Sequence, residues 1–251
     1  IAMKGARREA MKVEVLCRGF PGKADVGFLG LSNVALITAE SERILFDTGA
    51  MGVRLNLLQA LEKHSVRPCD VNKVVLSHLH YDHCDNAFLF PNATFFVSED
   101  EWAYATNGDD LLIPYGIVEF LKGHNLTLAK DETEVAPGLE LISTPGHTPG
   151  GISLALNVGG NKWILAGDAV KNRVELATGH ADMTLDPTAS ERSIAKIRKL
   201  AHRVLPGHDG WLKVEGERVI AEENPSLTIT LPEGIKGGRD GVFRLNIEAL
   251  S

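Results

Sequence analysis

From Ser77 to Cys84 the chain reads Ser-His-Leu-His-Tyr-Asp-His-Cys. Imidazole nitrogens and carboxylate oxygens are the side-chain atoms that bind divalent cations such as Zn²⁺, and also Mn²⁺ or Fe. Spacing decides which of them can share an ion. On a helix, positions two apart project about 200° apart, so His78 and His80 would diverge. On an extended stretch they face the same side. A strand leaving the apolar run 73–77 therefore aims His78, His80 and Asp82 one way. His83 joins them only if the chain turns into a helix around Asp82. That turn would set the Asp82 carboxylate at a helix N-terminus, where the dipole favours an anion.

No segment this short encloses metal ions alone. The further candidates each follow an apolar strand and open a loop, where a rigid scaffold presents functional groups. His147 lies in STPGHTPGG after LELIS, Asp168 follows WILAG, and His208 lies in RVLPGHDG. Cys84 is a soft ligand in principle but reads as a buried thiol. His64 and His202 lie near helix ends and read as structural, while His124 and His180 fall in loops. The chain carries no GxSxG elbow, Walker A loop, GxGxxG or HExxH.

The elements that must position these residues show in the hydrophobic period. Residues 12–17 alternate as a strand, and NVALIT with RILFDTG reads as a pair turning around Ala39–Glu42. Residues 52–64 space Val53, Leu57, Leu58 and Leu61 as an amphipathic helix. Strands are expected at 73–77, 93–98, 125–129, 139–143, 152–156, 162–166 and in RVLPGH. Residues 99–123 suggest helical pieces and a lid. A helix is expected over 188–200, with Thr188 as N-cap and Glu191 completing a capping box. SLTITL and VFRLNIE suggest a terminal hairpin. The order of strands and helices predicts sheets covered by helices.

The chain has 251 residues, 44% of them hydrophobic, the profile of a globular protein with a sizeable core. Residues 1–10 read as a tag or disordered N-terminus without a secretory signal. Residues 11–225 are expected to form the catalytic domain and 226–251 a hairpin extension of it. No apolar run approaches the roughly 18 residues of a membrane span. The net charge of −7 suits nucleic acid poorly, although a local basic patch can still exist. Three cysteines without a CxxC pair fit a reducing cytoplasm. The free edge of the terminal hairpin could support a homodimer.

HLHYDH, TPGHTPGG, AGDA and PGHD, in that order, resemble the metallo-beta-lactamase superfamily. The resemblance runs from ILFDTG (44–49) to PGHD (206–209). It implies an α+β fold, an αββα sandwich with the site at one edge. It implies His78, His80 and His147 as ligands of a first metal ion, and Asp82, His83 and His208 as ligands of a second. Asp168 is similar to the carboxylate that bridges them, and Asp47 to the aspartate that orients the histidine loop. Within the superfamily, VAPGLELISTPGHTPGGISL is similar to acyl-homoserine lactone lactonases. Those carry a substrate-orienting tyrosine where this chain has Lys171. HCDNAFLFPNATFFVS is similar to the metallo-beta-lactamase-domain-containing protein 1 group, for which phosphodiester cleavage is implied.

The expected activity is hydrolysis of an ester, lactone, thioester or similar bond in a small molecule by a hydroxide bridging two divalent metal ions, most simply zinc. Asp82 is expected to bind metal and to pass a proton to the leaving group. Lys171, Tyr81 and Tyr115 are candidates for reading the substrate. The alternatives are a phosphodiesterase or nuclease, with a basic track of Lys171, Arg173, Arg192 and Arg198, and a mononuclear iron enzyme of the persulfide dioxygenase kind.

Overall fold

Two stretches of strand in this chain are apolar on both faces, which demands cover on both sides. The computed structural model, which describes residues 11–235, 237–238 and 241–248, meets that demand with four layers. The expected N-terminal tag, 1–10, lies outside the described residues.

The first half runs β1 (Lys12–Cys17), β2 (Lys23–Ala24), β3 (Gly27–Phe28), β4 (Val34–Ala39), β5 (Glu42–Phe46), α1 (Arg54–Lys63), β6 (Lys73–Val75), α2 (Tyr81–Cys84), β7 (Thr94–Ser98), α3 (Glu99–Asn107), α4 (Tyr115–Lys122) and β8 (Leu126–Ala129). The second half runs β9 (Glu134–Ala136), β10 (Leu139–Ser143), β11 (Ile152–Val158), β12 (Asn161–Gly167), α5 (Arg173–Thr178), α6 (Pro187–Leu200), β13 (Arg203–Pro206), β14 (Leu212–Glu215) and β15 (Arg218–Ala221). A hairpin of β16 (Ser226–Thr230) and β17 (Val242–Asn246) follows. One sheet has the order β1-β4-β5-β6-β7-β8, the other β15-β14-β13-β12-β11-β10-β9.

Side chains alternate across each sheet, so each strand feeds two cores. In β4 and β5, Val34, Leu36 and Leu45 pack under helices α1 and α4 against Leu57, Leu61 and Leu121. Their neighbours Ala35, Ile37, Ile44 and Phe46 face the second sheet and meet Leu141, Leu154 and Leu165. On the far side, Ile164, Ala166 and Val204 pack on Leu176 of α5 and on Ile194 and Ile197 of α6. Three cores between four layers define an αββα sandwich, as the sequence led us to expect.

Strand direction gathers the candidate residues at one edge. β5 and β6 are parallel, so Asp47 and the 77–84 segment leave from the same end. β10 and β12 both pair antiparallel with β11 and therefore run alike, and β13 is parallel to β12. His147, Asp168 and His208 thus also leave from one end. A Ile152 N–H···O=C Ser77 bond of 2.9 Å joins the two sheets there.

The helix expected with Thr188 as its N-cap starts two residues earlier. Asp186 is its N-cap, accepting from Ala189 N–H at 2.9 Å, and Pro187 fills the first position. A proline lacks the N–H that would go unpaired there, and its ring presets the helical φ. The pattern reading also missed α5, β9, the β14–β15 hairpin and the two-residue strands β2 and β3, most of them too short for a clear period.

Leu154 is fully buried in β11, an interior strand of the second sheet, facing the first. Leu154→Ala should lower unfolding stability by about 2–5 kcal/mol, read as a shifted urea midpoint at unchanged slope. A loss below about 1 kcal/mol would mean that the two sheets do not interlock as described.

Candidate metal centre

β6 ends at Val75; the chain bends at Ser77 and is extended again at His80, whose ψ is 149°. It then turns into the four-residue helix α2, one residue earlier than the spacing suggested. Extension aims His78 and His80 together, and the turn swings His83 back to them. Ligand atoms of His78, His80 and His147 lie within 4.8 Å of one another. So do those of His78, His83 and Asp168, and those of Asp82, His83 and His208. All seven predicted ligand residues therefore meet in one place.

Each of the five rings is anchored by its outer nitrogen to a group that accepts. His83 Nδ1 donates to Asp47 Oδ2 at 2.7 Å, and His147 Nδ1 to Met183 O at 3.0 Å. His208 Nδ1 donates to Leu31 O at 2.9 Å, and His80 Nε2 to Asp110 Oδ2 at 3.1 Å. The Ser77 hydroxyl gives its proton to Asp47 Oδ2 (2.8 Å) and so accepts from His78 Nδ1 (3.0 Å). A neutral imidazole has one N–H. With that proton outside, the inner nitrogens present bare electron pairs. His80 Nδ1 and His147 Nε2 face each other this way at 3.0 Å. His78 Nε2, His83 Nε2 and Asp168 Oδ1 are buried without a hydrogen-bond partner. A divalent cation satisfies such a donor set, and the residues present therefore fit metal.

Asp168 faces both halves of the centre. Its Oδ1 is 3.2 Å from His83 Nε2 and from His208 Nε2, and its Oδ2 is 3.4 Å from His147 Nε2. Asp82 Oδ2 is 3.5 Å from His208 Nε2 and 3.8 Å from His83 Nε2. Burial opposes the Asp168 charge, but His208, His83 and His147 outweigh it and hold the carboxyl well below its usual range. Burial also disfavours the cations of His83 and His208, yet Asp168 and Asp82 outweigh it and raise both above the ordinary value. In His78 burial dominates, helped by the neighbouring rings, and its pKa falls well below normal. Burial likewise brings His147 down to about 4.

Asp47 holds the start of the histidine segment. Lying just past β5 at a φ of 59°, it accepts Ser77 N–H at 2.7 Å and the His83 ring. Asp tolerates this left-handed conformation better than most residues. Gly207 has no room for a side chain, because a Cβ would lie 2.0 Å from Asp168 Oδ1.

Several positioning residues had no signature in the sequence. Glu101, fully buried, accepts Leu79 N–H at 2.9 Å and the Thr148 hydroxyl at 2.6 Å, tying the 77–84 segment to the His147 loop. Burial raises its pKa. Gly150 packs so closely that a Cβ would meet Glu101 N at 1.8 Å. Asn33 pins the His208 loop through Pro206 O and Asp209 O, both at 2.7 Å. Arg173 grips Asp209, the residue after His208, through two nitrogens at 2.8 Å. Acidic residues in a first helical turn, and asparagines in loops, are too common for their types to have marked these out.

The centre opens onto a cleft of about 210 Å³. Phe20, Phe28, Tyr81, Leu112 and Met183 line it, with Lys171 and Glu175 as charged wall. Lys171 Nζ is 2.9 Å from Glu175 Oε1. Tyr115 is 75% exposed at the start of α4 and does not line the cleft. The 108–114 connection brings Leu112 there in its place, because Tyr115 begins the helix that leads away. His64 pairs with Glu14, His124 stacks on Phe120, His180 pairs with Glu191, and His202 accepts from Lys162 N–H. None of these four enters the centre. Cys84 donates to Leu79 O and is fully buried, which pushes its thiol pKa well up.

A scan of family descriptions matches residues 27–208 to the metallo-beta-lactamase superfamily. The chain belongs to that superfamily, a family of metal-dependent hydrolases, and is an enzyme of that class. Metallo-beta-lactamase domain-containing protein 1 of Xenopus laevis is 34% identical over 215 residues, 84% of this chain and 85% of that protein. The "Probable metallo-hydrolase" of Methanocaldococcus jannaschii is 32% identical over 169 residues, 66% of this chain and 71% of its own length. Among solved structures, AidC, described as a dizinc quorum-quenching lactonase, superposes with a TM-score of 0.64 at 21% identity, covering 86% of this chain and 92% of that one. At that identity the likeness concerns the fold.

Metal binding should displace the protons that the surrounding carboxylates hold on His83 and His208. His78 and His147, already bare, should contribute none. Apparent affinity should therefore rise with pH, and keep rising above the ordinary imidazole range, because both rings hold their protons more tightly than a free imidazole. Titration calorimetry in buffers of different ionisation heat measures the protons released. A pH-independent affinity with no release would contradict this electrostatic picture.

Proposed function

We propose that this protein is a dinuclear metal hydrolase of a small ester, lactone or thioester, with zinc as the natural pair of ions. The observation that carries the reading is the facing pair of bare nitrogens, His80 Nδ1 and His147 Nε2 at 3.0 Å, each with its outer nitrogen committed to an acceptor. His78, His80 and His147 would hold one ion, and Asp82, His83 and His208 the other. Asp168 would serve both, since its two oxygens face opposite halves of the centre. When bound, the ions supply Lewis acidity and a water acidic enough to ionise near neutral pH.

The remaining tasks fall to the chain. Asp82 lies at the mouth of the cleft as well as beside His83 and His208, so its carboxylate is placed to receive a proton and deliver it to a leaving oxygen, nitrogen or sulfur. The Tyr81 hydroxyl is available to orient a substrate carbonyl. The Lys171 ammonium, oriented by Glu175, stands ready to offset negative charge on the substrate. Phe20, Phe28, Leu112 and Met183 form an apolar wall suited to an acyl or other hydrocarbon group, and they exclude water from the reacting bond.

The cleft favours this reading over a phosphodiesterase. Arg173 of the expected basic track is only 4% exposed and locked to Asp209. Arg192 and Arg198 lie on α6, away from the cleft lining. The retention of Asp82, His83 and His208 favours two ions over mononuclear iron chemistry. The dizinc lactonase of like fold supports the same choice. Free Cys17, Cys69 and Cys84 accord with a reducing cytoplasm, and no helix among the described residues is long and apolar enough to cross a membrane.

Elemental analysis should give two ions per chain in the active protein and none in Asp168→Ala. His147→Ala should lose mainly one. A panel of a lactone, a thioester, a beta-lactam and bis-nitrophenyl phosphate then tests the substrate class. Turnover of the phosphate ester alone would overturn it, and one ion per fully active chain would overturn the paired centre.

A further inference from the structure

The wall of the cleft and one imidazole of the centre depend on the same side chain. Asp110 lies in the 108–114 connection between α3 and α4. Three donors converge on its two oxygens. His80 Nε2–H reaches Oδ2 at 3.1 Å, and the Tyr104 hydroxyl reaches the same oxygen at 2.8 Å. The Leu112 N–H reaches Oδ1 at 2.8 Å. The Leu112 side chain lines the cleft, and its carbonyl accepts Tyr81 N–H at 2.8 Å, closing the loop back onto the residue after His80.

We propose that Asp110 is a positioning residue that couples the first-ion site to the apolar wall of the substrate cleft. The inference rests on the metal-hydrolase reading above. A carboxylate only accepts, so its bond to Nε2 fixes the His80 proton on the outside and leaves Nδ1 bare for an ion. The second oxygen of the same group sets the backbone of Leu112. An ion on Nδ1 would make Nε2–H a stronger donor to Asp110 and so tighten the segment that carries Leu112, and a loosened wall frees His80 to turn or to move its proton to Nδ1. An asparagine cannot replace this group. Its single oxygen can serve the His80 and Tyr104 side or the Leu112 side, while its NH₂ confronts a donor on the other. Met183, the acceptor for His147, also lies in the cleft lining, but it holds the ring by a backbone carbonyl that no substitution removes.

The test uses the full chain with zinc alone as the probe, comparing the wild type with Asp110→Asn and Tyr104→Phe. Stepwise calorimetric titration reads the two ion affinities, and amide hydrogen exchange reads the 108–114 segment with and without zinc. In the wild type, zinc should slow exchange in this segment several-fold. In Asp110→Asn the first-ion affinity should fall by about 10–100-fold, the other affinity should hold, and the slowing should vanish. Tyr104→Phe removes one donor from Oδ2 and leaves ring and wall in place, so it should give a smaller change in the same direction. Unchanged titration and exchange in Asp110→Asn, with two ions bound by the wild type, would overturn the inference alone. Equal weakening of both ions with a lowered unfolding temperature would also overturn it, by making Asp110 a general stabiliser. A wild type that takes no zinc would overturn the reading of the centre, and the coupling with it.

Discussion

Five imidazoles crowd a space where each can carry only one proton when neutral, and every one of those protons is committed to an acceptor on the outside. Asp47, Asp110, Ser77, Met183 and Leu31 hold the five outer nitrogens. In a neutral ring the inner nitrogen is left as an electron pair, and the protons that Asp168 and Asp82 favour on His83 and His208 must leave before a cation enters. A buried polar atom without a partner costs about 1–3 kcal/mol, so an arrangement that aims several at one point is a strained one until a cation enters. The outward anchoring therefore does two things. It sets ring orientation, and it sets the charge that the centre is built to receive.

That arrangement needs a rigid frame, because its parts come from positions as distant as Leu31 and His208. The frame is the pair of sheets. Their strands leave Asp47, the 77–84 segment, His147, Asp168 and His208 at one edge, and the cores on both faces keep the strand ends from drifting. The edge is then stitched by buried polar groups. Glu101 joins two ligand loops, Asn33 and Arg173 hold the third, and Asp209 lies between Arg173 and the backbone beside His208. Buried polar groups of this kind specify one geometry because half-satisfied alternatives are costly.

The centre and the cleft are shaped by opposite demands. The ions need charge and hydrogen bonds, whereas the wall of Phe20, Phe28, Leu112 and Met183 offers hydrocarbon. The meeting of the two matches a substrate with a polar bond to cleave and an apolar group to hold. Where they meet, Met183 and the Asp110–Leu112 pair belong to both. The metal-binding loops and the substrate wall are thus not separate modules on this scaffold.

The candidate ligands stood out in the chain because metal ligation demands particular side chains and strand geometry demands particular spacing. Extended residues two apart share a face, so His78 and His80 declared themselves, and the need for His83 to swing round foretold α2. The order of strands and helices foretold sheets covered by helices. What the chain alone left open was everything set by proximity between distant segments. Both Lys171 and Tyr115 were expected at the substrate, yet only Lys171 lines the cleft, because the direction of a loop depends on what it packs against. Glu101, Asn33 and Asp110 look like ordinary first-turn or loop residues until folding brings a ring or an N–H within 3 Å or so of them. Local sequence carries local geometry; the partner of a buried polar group is chosen by the tertiary fold, which alone decides which distant atoms are left to satisfy.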